Sequence, residues 1–90
     1  PMNPTPVAWI VEVDSIPVII WSTNRSRAKW IAVRGYREAG YRTNGTWPNV
    51  KVNRAKVYDA VNLEPDRCWS EDYVLERTMG IPPRPHPQPP

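Results

Sequence analysis

Phenylalanine is missing from this chain, and cysteine and histidine occur once each, as Cys68 and His86. A single cysteine allows no internal disulfide, so a small disulfide-stabilised framework is excluded and a reducing compartment fits. The lone histidine lies in a proline-dense end, so no Cys–His pair or Ser–His–Asp set can assemble within a folded core. There is no CxxC, no histidine cluster and no acidic cluster with metal-ligand spacing, so neither a metal nor any other cofactor is expected. Neither GxGxxG nor GxxxxGK[ST] occurs. Cys68 stands just before a helix start, which lowers a thiol pKa, but Asp66, Glu71 and Asp72 oppose that effect, and a buried, inert thiol is expected. No apolar run approaches the length of a membrane span or a secretory signal core, so no membrane role is expected. Carboxylate pairs for acid–base work would be tertiary contacts, and nothing in the sequence nominates one. The expectation is a protein that is not an enzyme.

What is present is aromatic and unevenly charged. Ninety residues make one small domain with a modest core. Five Trp and four Tyr let a few large side chains stand in for a bigger aliphatic interior. The net charge of +3 conceals an asymmetry: residues 25–56 carry +8 and the remainder −5. A basic middle beside acidic flanks suits a polyanionic or acidic partner. The alternative is that the two halves neutralise each other inside the fold. Pro1 ahead of Met2 reads as a remnant of a cleaved tag, with Met2 as the natural start.

Residues 1–6 read as a flexible lead. Val7 to Val13 alternates in strand fashion. Asp14-Ser15 forms a two-residue turn, and Ile16 to Trp21 returns as a second strand. The register sets Val13 opposite Ile16, Val11 opposite Val18 and Trp9 opposite Ile20, all on one face. Pro17 lacks a donor and places this strand at the sheet edge. Ala8, Ile10, Ile19 and Trp21 line the second face, and a single helix cannot cover both faces. The C-terminal segment is expected to cover that side.

A helix follows from Thr23 to Gly40, with Ser22 or Thr23 as cap and Gly40 as stop. Ala28, Ile31, Ala32, Gly35 and Ala39 share its inner face. All but Ile31 are small, so the helix can approach the sheet closely, and Gly35 implies a close contact that offsets its low helix propensity. The outer face carries Trp30, Arg34 and Arg37, flanked by Arg27 and Val33. Trp30 and Arg34 are spaced to stack. Trp30 either lies under arginine stems or against the C-terminal segment, at least half buried, or it anchors a partner. Burial is the commoner fate of so large a side chain, whereas Trp and Arg are enriched where partners bind.

Asn44-Gly45 signals a turn, with Trp47 either folded onto the core or exposed. Val50 to Tyr58 reads as a third strand with a bulge near Asn53-Arg54. A right-handed crossover places it beside the first strand, giving the order 2-1-3. Ser70 caps a second helix, Glu71 to Met79, ended by Gly80 and anchored by Trp69 and Tyr73. Residues 81–90 hold six prolines and read as a disordered, solubilising tail.

The run Trp21-Ser-Thr-Asn-Arg-Ser-Arg-Ala-Lys-Trp-Ile-Ala-Val-Arg-Gly-Tyr-Arg-Glu-Ala-Gly-Tyr41, followed by Val50-Lys-Val-Asn-Arg-Ala55, resembles a family of small proteins encoded by actinobacteriophages. Those proteins pair a hairpin with a "T-x-x-x-A-K…A…REAGY" helix and a strand ending in "V-x-R-A". Thr23, Ala28, Lys29, Ala32, Arg37, Glu38, Ala39, Gly40, Tyr41, Val52, Arg54 and Ala55 carry the match. The resemblance spans residues 18–58 and implies a phage origin with expression in the host cytoplasm. It implies nothing about catalysis.

The sequence thus predicts an α+β domain over residues 7–80, ββαβα, with a three-stranded antiparallel sheet, one main helix on one face and a short C-terminal helix. The expected role is a non-enzymatic phage accessory protein that binds and modulates a host protein through Trp30, Arg34, Arg37, Arg27 and Trp47. The alternative is nucleic-acid or nucleotide binding through Arg25, Lys29, Arg42, Lys51, Arg54 and Lys56. A structural homodimer using an uncovered sheet face is a third reading, so the chain is expected as a monomer or a homodimer.

Overall fold

A computed structural model describes residues 4–41 and 48–80. The expectations for residues 81–90, for Asn44-Gly45 and for Arg42 and Trp47 lie outside the described residues. The element order is β1 (Val7–Val13), β2 (Ile16–Ser22), α1 (Arg25–Glu38), β3 (Val50–Arg54), a 3-10 turn (Lys56–Tyr58), β4 (Trp69–Ser70) and α2 (Glu71–Met79). The fold is α+β, and the hairpin register is the one the alternation predicts: Val13 pairs with Ile16, Val11 with Val18 and Trp9 with Ile20. Asp14 and Ser15 both adopt positive φ, as a tight turn matching the strand twist requires.

The sheet has four strands, in the order β3-β1-β2-β4, where three were expected. β4 is only two residues long and pairs Ser70 with Val18 and Trp69 with Ile19. So short a strand leaves no alternation to read. β2 is therefore not the edge strand that Pro17 suggested. Pro17 is tolerated because it occupies a non-hydrogen-bonded position opposite Glu12 and lies beyond the reach of β4. β3 is also shorter than expected and ends at Arg54. There is no bulge near Asn53-Arg54. Ala55 leaves the strand at φ −120°, ψ 63° and the chain tightens into the 3-10 turn, which is why the apolar parity changes.

Helix α1 starts later than expected, and its cap is Asn24, not Ser22 or Thr23. The Asn24 carboxamide oxygen accepts the Arg27 N–H at 2.8 Å, while Ser22 is the last residue of β2 and is fully buried. Gly40 takes φ +89° just past the helix, as the stop signal required. Ser70 caps α2 by accepting the Tyr73 N–H at 3.2 Å, and Gly80 ends it at φ +69°.

Each sheet face has its own core. Under α1 lie Val11, Val13, Ile20, Ala28, Ile31, Ala32 and Val52. On the far face Ala8, Ile19 and Trp21 pack with Ala55 and Val74, ringed by Tyr58, Val61, Leu63 and Trp69. The C-terminal segment therefore does cover that side. Its deepest contact is Val74, fully buried, while Trp69 and Tyr73 stack on one another at 5.5 Å nearer the surface.

Candidate functional site

The residues proposed from sequence divide into three groups. Arg27 and Arg54 are structural. Arg27 donates from Nε and Nη2 to the two carboxylate oxygens of Asp66, at 2.8 and 3.0 Å. Arg54 makes the same forked contact with Asp59, at 3.0 and 2.8 Å, and also donates to the Ala8 carbonyl at 2.7 Å. Its guanidinium lies 5.5 Å from the Trp9 ring centroid. Two planar donors facing two oxygens make the strong, orientation-specific form of an ion pair. The Arg54 guanidinium and the Ala8 N–H, both donating to it, hold the Asp59 carboxyl at about 2, below its ordinary 3.8. Asp66 raises the Arg27 pKa, through hydrogen bonds first and charge second. Both arginines tie the basic middle to the acidic C-terminal part, so part of the charge asymmetry is internal.

A second group is spread over several elements. Lys51 points to the sheet face opposite α1, since it pairs with Glu12, whose side-chain parity is that of Ile10 and Ala8. Lys56 belongs to the 3-10 turn. Arg34 borders a cleft with Ile31, Gly35, Glu38, Asp66, Arg67 and Cys68. Arg37 is exposed in the last turn of α1. Lys51 and Lys56 thus belong to β3 and the turn after it, and Arg34 and Arg37 to α1.

The third group lies along a shelf of mixed polar and apolar surface with one lysine, Lys29, at its edge. Trp30 keeps 55% of its surface exposed, against the expectation that it would be at least half buried. Beside it runs a cleft of about 330 Å³ lined by Lys29, Trp30, Val33, Pro48, Asn49 and Val50. Val33 was placed on the solvent side of α1, yet it is buried, because the chain entering β3 borders it. Arg25 reaches the same strand and donates to the Val52 carbonyl at 3.4 Å. The candidate site thus lies along the seam of α1 and β3, and Arg34 falls outside it.

Sequence reasoning missed the residue that holds this seam together. Asp14, in the hairpin turn, accepts the Tyr36 hydroxyl and the Asn49 N–H, each at 2.8 Å, and its own N–H donates to the Asn49 carbonyl at 2.8 Å. It fixes the start of β3 against α1. The hydrogen bond to the Asp14 carboxylate, with burial, raises the Tyr36 pKa. The only signal in the sequence was an aspartate in a two-residue turn, where its own geometry would explain it.

Another cleft, of about 210 Å³, lies between the hairpin tip and α1, with Tyr36 stacked on Tyr41 at 4.8 Å near its mouth. Gly35 and Cys68 meet in its wall: a Cβ on Gly35 would lie 2.8 Å from the Cys68 sulfur. The close contact inferred for Gly35 is real, but its partner is Cys68, not the sheet. Burial, and then the Glu38 charge, raise the Cys68 pKa, which keeps the thiol protonated and poorly nucleophilic. Among the described residues no three His, Cys, Asp or Glu side chains group as metal ligands, and no helix is long and apolar enough to cross a membrane. No family model matches the chain, and no curated protein or solved structure matches it either.

Proposed function

We propose that this protein acts by binding and not by catalysis: it is a small accessory protein of phage origin that docks a host protein in the cytoplasm along the α1–β3 seam. The observation that carries this reading is the exposure of Trp30 beside the cleft of Val33, Pro48 and Val50. A large exposed aromatic on a helix, next to a depression that mixes apolar side chains with Lys29 and Asn49, has the anatomy of an interface hot spot. The nucleic-acid reading is weaker, because Arg54 is committed to Asp59 and Lys51 faces away from α1.

The test is affinity capture from a bacterial lysate with the wild-type chain and with Trp30→Ala, with circular dichroism on both. A stoichiometric protein partner lost on Trp30→Ala, with the fold intact, supports the reading. A partner retained in full overturns it. So does recovery of nucleic acid whose binding falls by orders of magnitude between roughly 50 and 200 mM salt.

A further inference from the structure

We infer that the outer edge of β3, together with the Trp30 cleft, takes an extended acidic segment of a partner protein as an added strand. This inference rests on the docking reading above and specifies its chemistry.

The register of the sheet determines which backbone groups are available. A two-residue hairpin turn makes Val13 and Ile16 a hydrogen-bonded pair. Odd-numbered residues of β1 therefore bond to β2, and Ile10 and Glu12 bond to β3. Their partners, Asn53 and Lys51, use the inner edge of β3. The N–H and C=O groups of Val50, Val52 and Arg54 consequently point outward. β3 is the terminal strand of the sheet, and among the described residues one hydrogen bond reaches these groups, from Arg25 to Val52. At 3.4 Å it is long for a hydrogen bond and comes from an exposed, movable side chain. An added strand can replace it.

Side chains of an added strand alternate between faces. Those opposite Val50 and Val52 fall on the α1 side, where Trp30, Val33 and Pro48 offer an apolar floor. Those opposite Lys51 and Asn53 fall on the other side. Lys29 rims the cleft and Lys51 lies on the far face, and neither forms an ion pair with a described residue. Arg25 and Lys56 flank the strand. Glu12, across the ladder from Lys51, is the one acid paired directly with β3. The surface therefore favours a segment that alternates apolar with acidic residues.

The same lysine argues against a second copy of this chain as the occupant. Antiparallel self-pairing about Val52 would bring the two Lys51 side chains to one face across the new ladder, and edge lysines commonly prevent such pairing. What repels a second β3 attracts an acidic strand.

The experiment uses the full chain with seven-residue, fluorescein-labelled peptides in which Glu alternates with Val, Leu, Ile or Trp. Each has a Lys-for-Glu counterpart and a version N-methylated at the one position whose N–H would bond to the Val52 carbonyl. Binding is read by anisotropy, and the β3 amides by hydrogen exchange in NMR spectra. At least one acidic peptide is expected to bind with slowed exchange at Val50 and Val52. N-methylation should weaken it about tenfold or more, because strand addition draws its affinity from main-chain hydrogen bonds. The Lys29→Glu, Lys51→Glu double variant, checked for folding by circular dichroism, should lose the acidic peptide and gain its lysine counterpart. No acidic peptide binding below roughly 1 mM overturns the inference, given that affinity at an interface must exceed the ordering cost of the segment. So do equal binding of the lysine peptides, binding without protection of Val50 and Val52, and a β3-mediated dimer in sedimentation that the peptides do not dissociate. If Trp30→Ala still loses its captured partner in any of these cases, strand addition fails and the docking reading stands. If the captured partner is also indifferent to Trp30→Ala, both fail.

Discussion

The two faces of the sheet are covered in different ways. Over one lies a single fourteen-residue helix whose buried residues are Ala28, Ile31, Ala32 and Val33. Over the other lie a 3-10 turn, an irregular stretch and a nine-residue helix with one buried residue, Val74. The first cover is regular and close because small side chains let a helix axis approach. The second is irregular, so it needs point fixings. Trp21 supplies bulk from the sheet side, and Arg54–Asp59 fastens the 3-10 turn to Ala8. Arg27–Asp66 joins α1 to the chain that returns toward β4. A short chain can thus close both faces of a sheet with little secondary structure on one of them, provided that ion pairs and aromatics replace periodic packing.

Adjacent residues on opposite faces break this comparison most directly. Ile20 and Trp21 are both fully buried. Trp21→Ala should cost about 3–5 kcal/mol and Ile20→Ala about 2–5 kcal/mol. Native-state hydrogen exchange should separate them: Trp21→Ala frees the α2 amides while β1 and β2 stay protected, whereas Ile20→Ala exposes hairpin and helix together. Identical patterns would mean that the two cores open as one.

The close side is next. Gly35→Ala gains up to about 1 kcal/mol of helix propensity but forces the Cys68 sulfur to move, an overpacking cost of about 1–3 kcal/mol. Urea unfolding should show a net loss in the wild-type background. In a Cys68→Ala background the same substitution should become neutral or stabilising. An unchanged loss there would show that Gly35 is required for some other reason.

The ion-pair fixings are sharpened by pH. Asp59 has a folded pKa of about 2 against an ordinary 3.8. Its contribution is complete above the ordinary value and disappears as pH falls through about 2. Because the pair is about one-third exposed and solvent screens it, at most about 1 kcal/mol is at stake. Asp59→Asn should lower the melting temperature near neutrality and flatten its acid dependence between about pH 4 and 2. An unchanged acid limb would exclude the Arg54–Asp59 contact as a fixing.

Trp30→Ala should have the smallest effect on folding, within about 0.5 kcal/mol in thermal melts, because the side chain is more exposed than buried. A larger loss would move Trp30 from the docking surface into the core.

The hairpin, its register, the helix α1 and the second helix were legible because each is periodic and punctuated. Alternation chose the paired faces of β1 and β2, and Gly40 and Gly80 marked helix ends through left-handed backbone. The cap of α1 was misplaced because Ser22, Thr23 and Asn24 are all competent cap residues, and only the folded chain, with Ser22 buried in β2 and the Asn24 side chain bonded to the Arg27 N–H, decides among them. β4 has too few residues for a period, and the 3-10 turn was absorbed into β3 because Val57 continued an apolar parity. Of the candidate site, Trp30 and Lys29 remain, Arg27 and Arg54 prove to be struts, and Arg34 lines another cleft.

By itself the sequence determined the local units: which segments alternate, which wind, where each stops, and that a basic stretch lies between acidic ones. Those properties depend on neighbours a few residues apart, and short-range sterics and hydrogen bonding set them. The tertiary structure alone decided which charges neutralise each other, that Gly35 makes room for Cys68, and that β3 ends the sheet with Trp30 in the cleft beside it. Those outcomes join residues from 5 to 39 positions apart and depend on the geometry of the assembled layers, which no local pattern encodes.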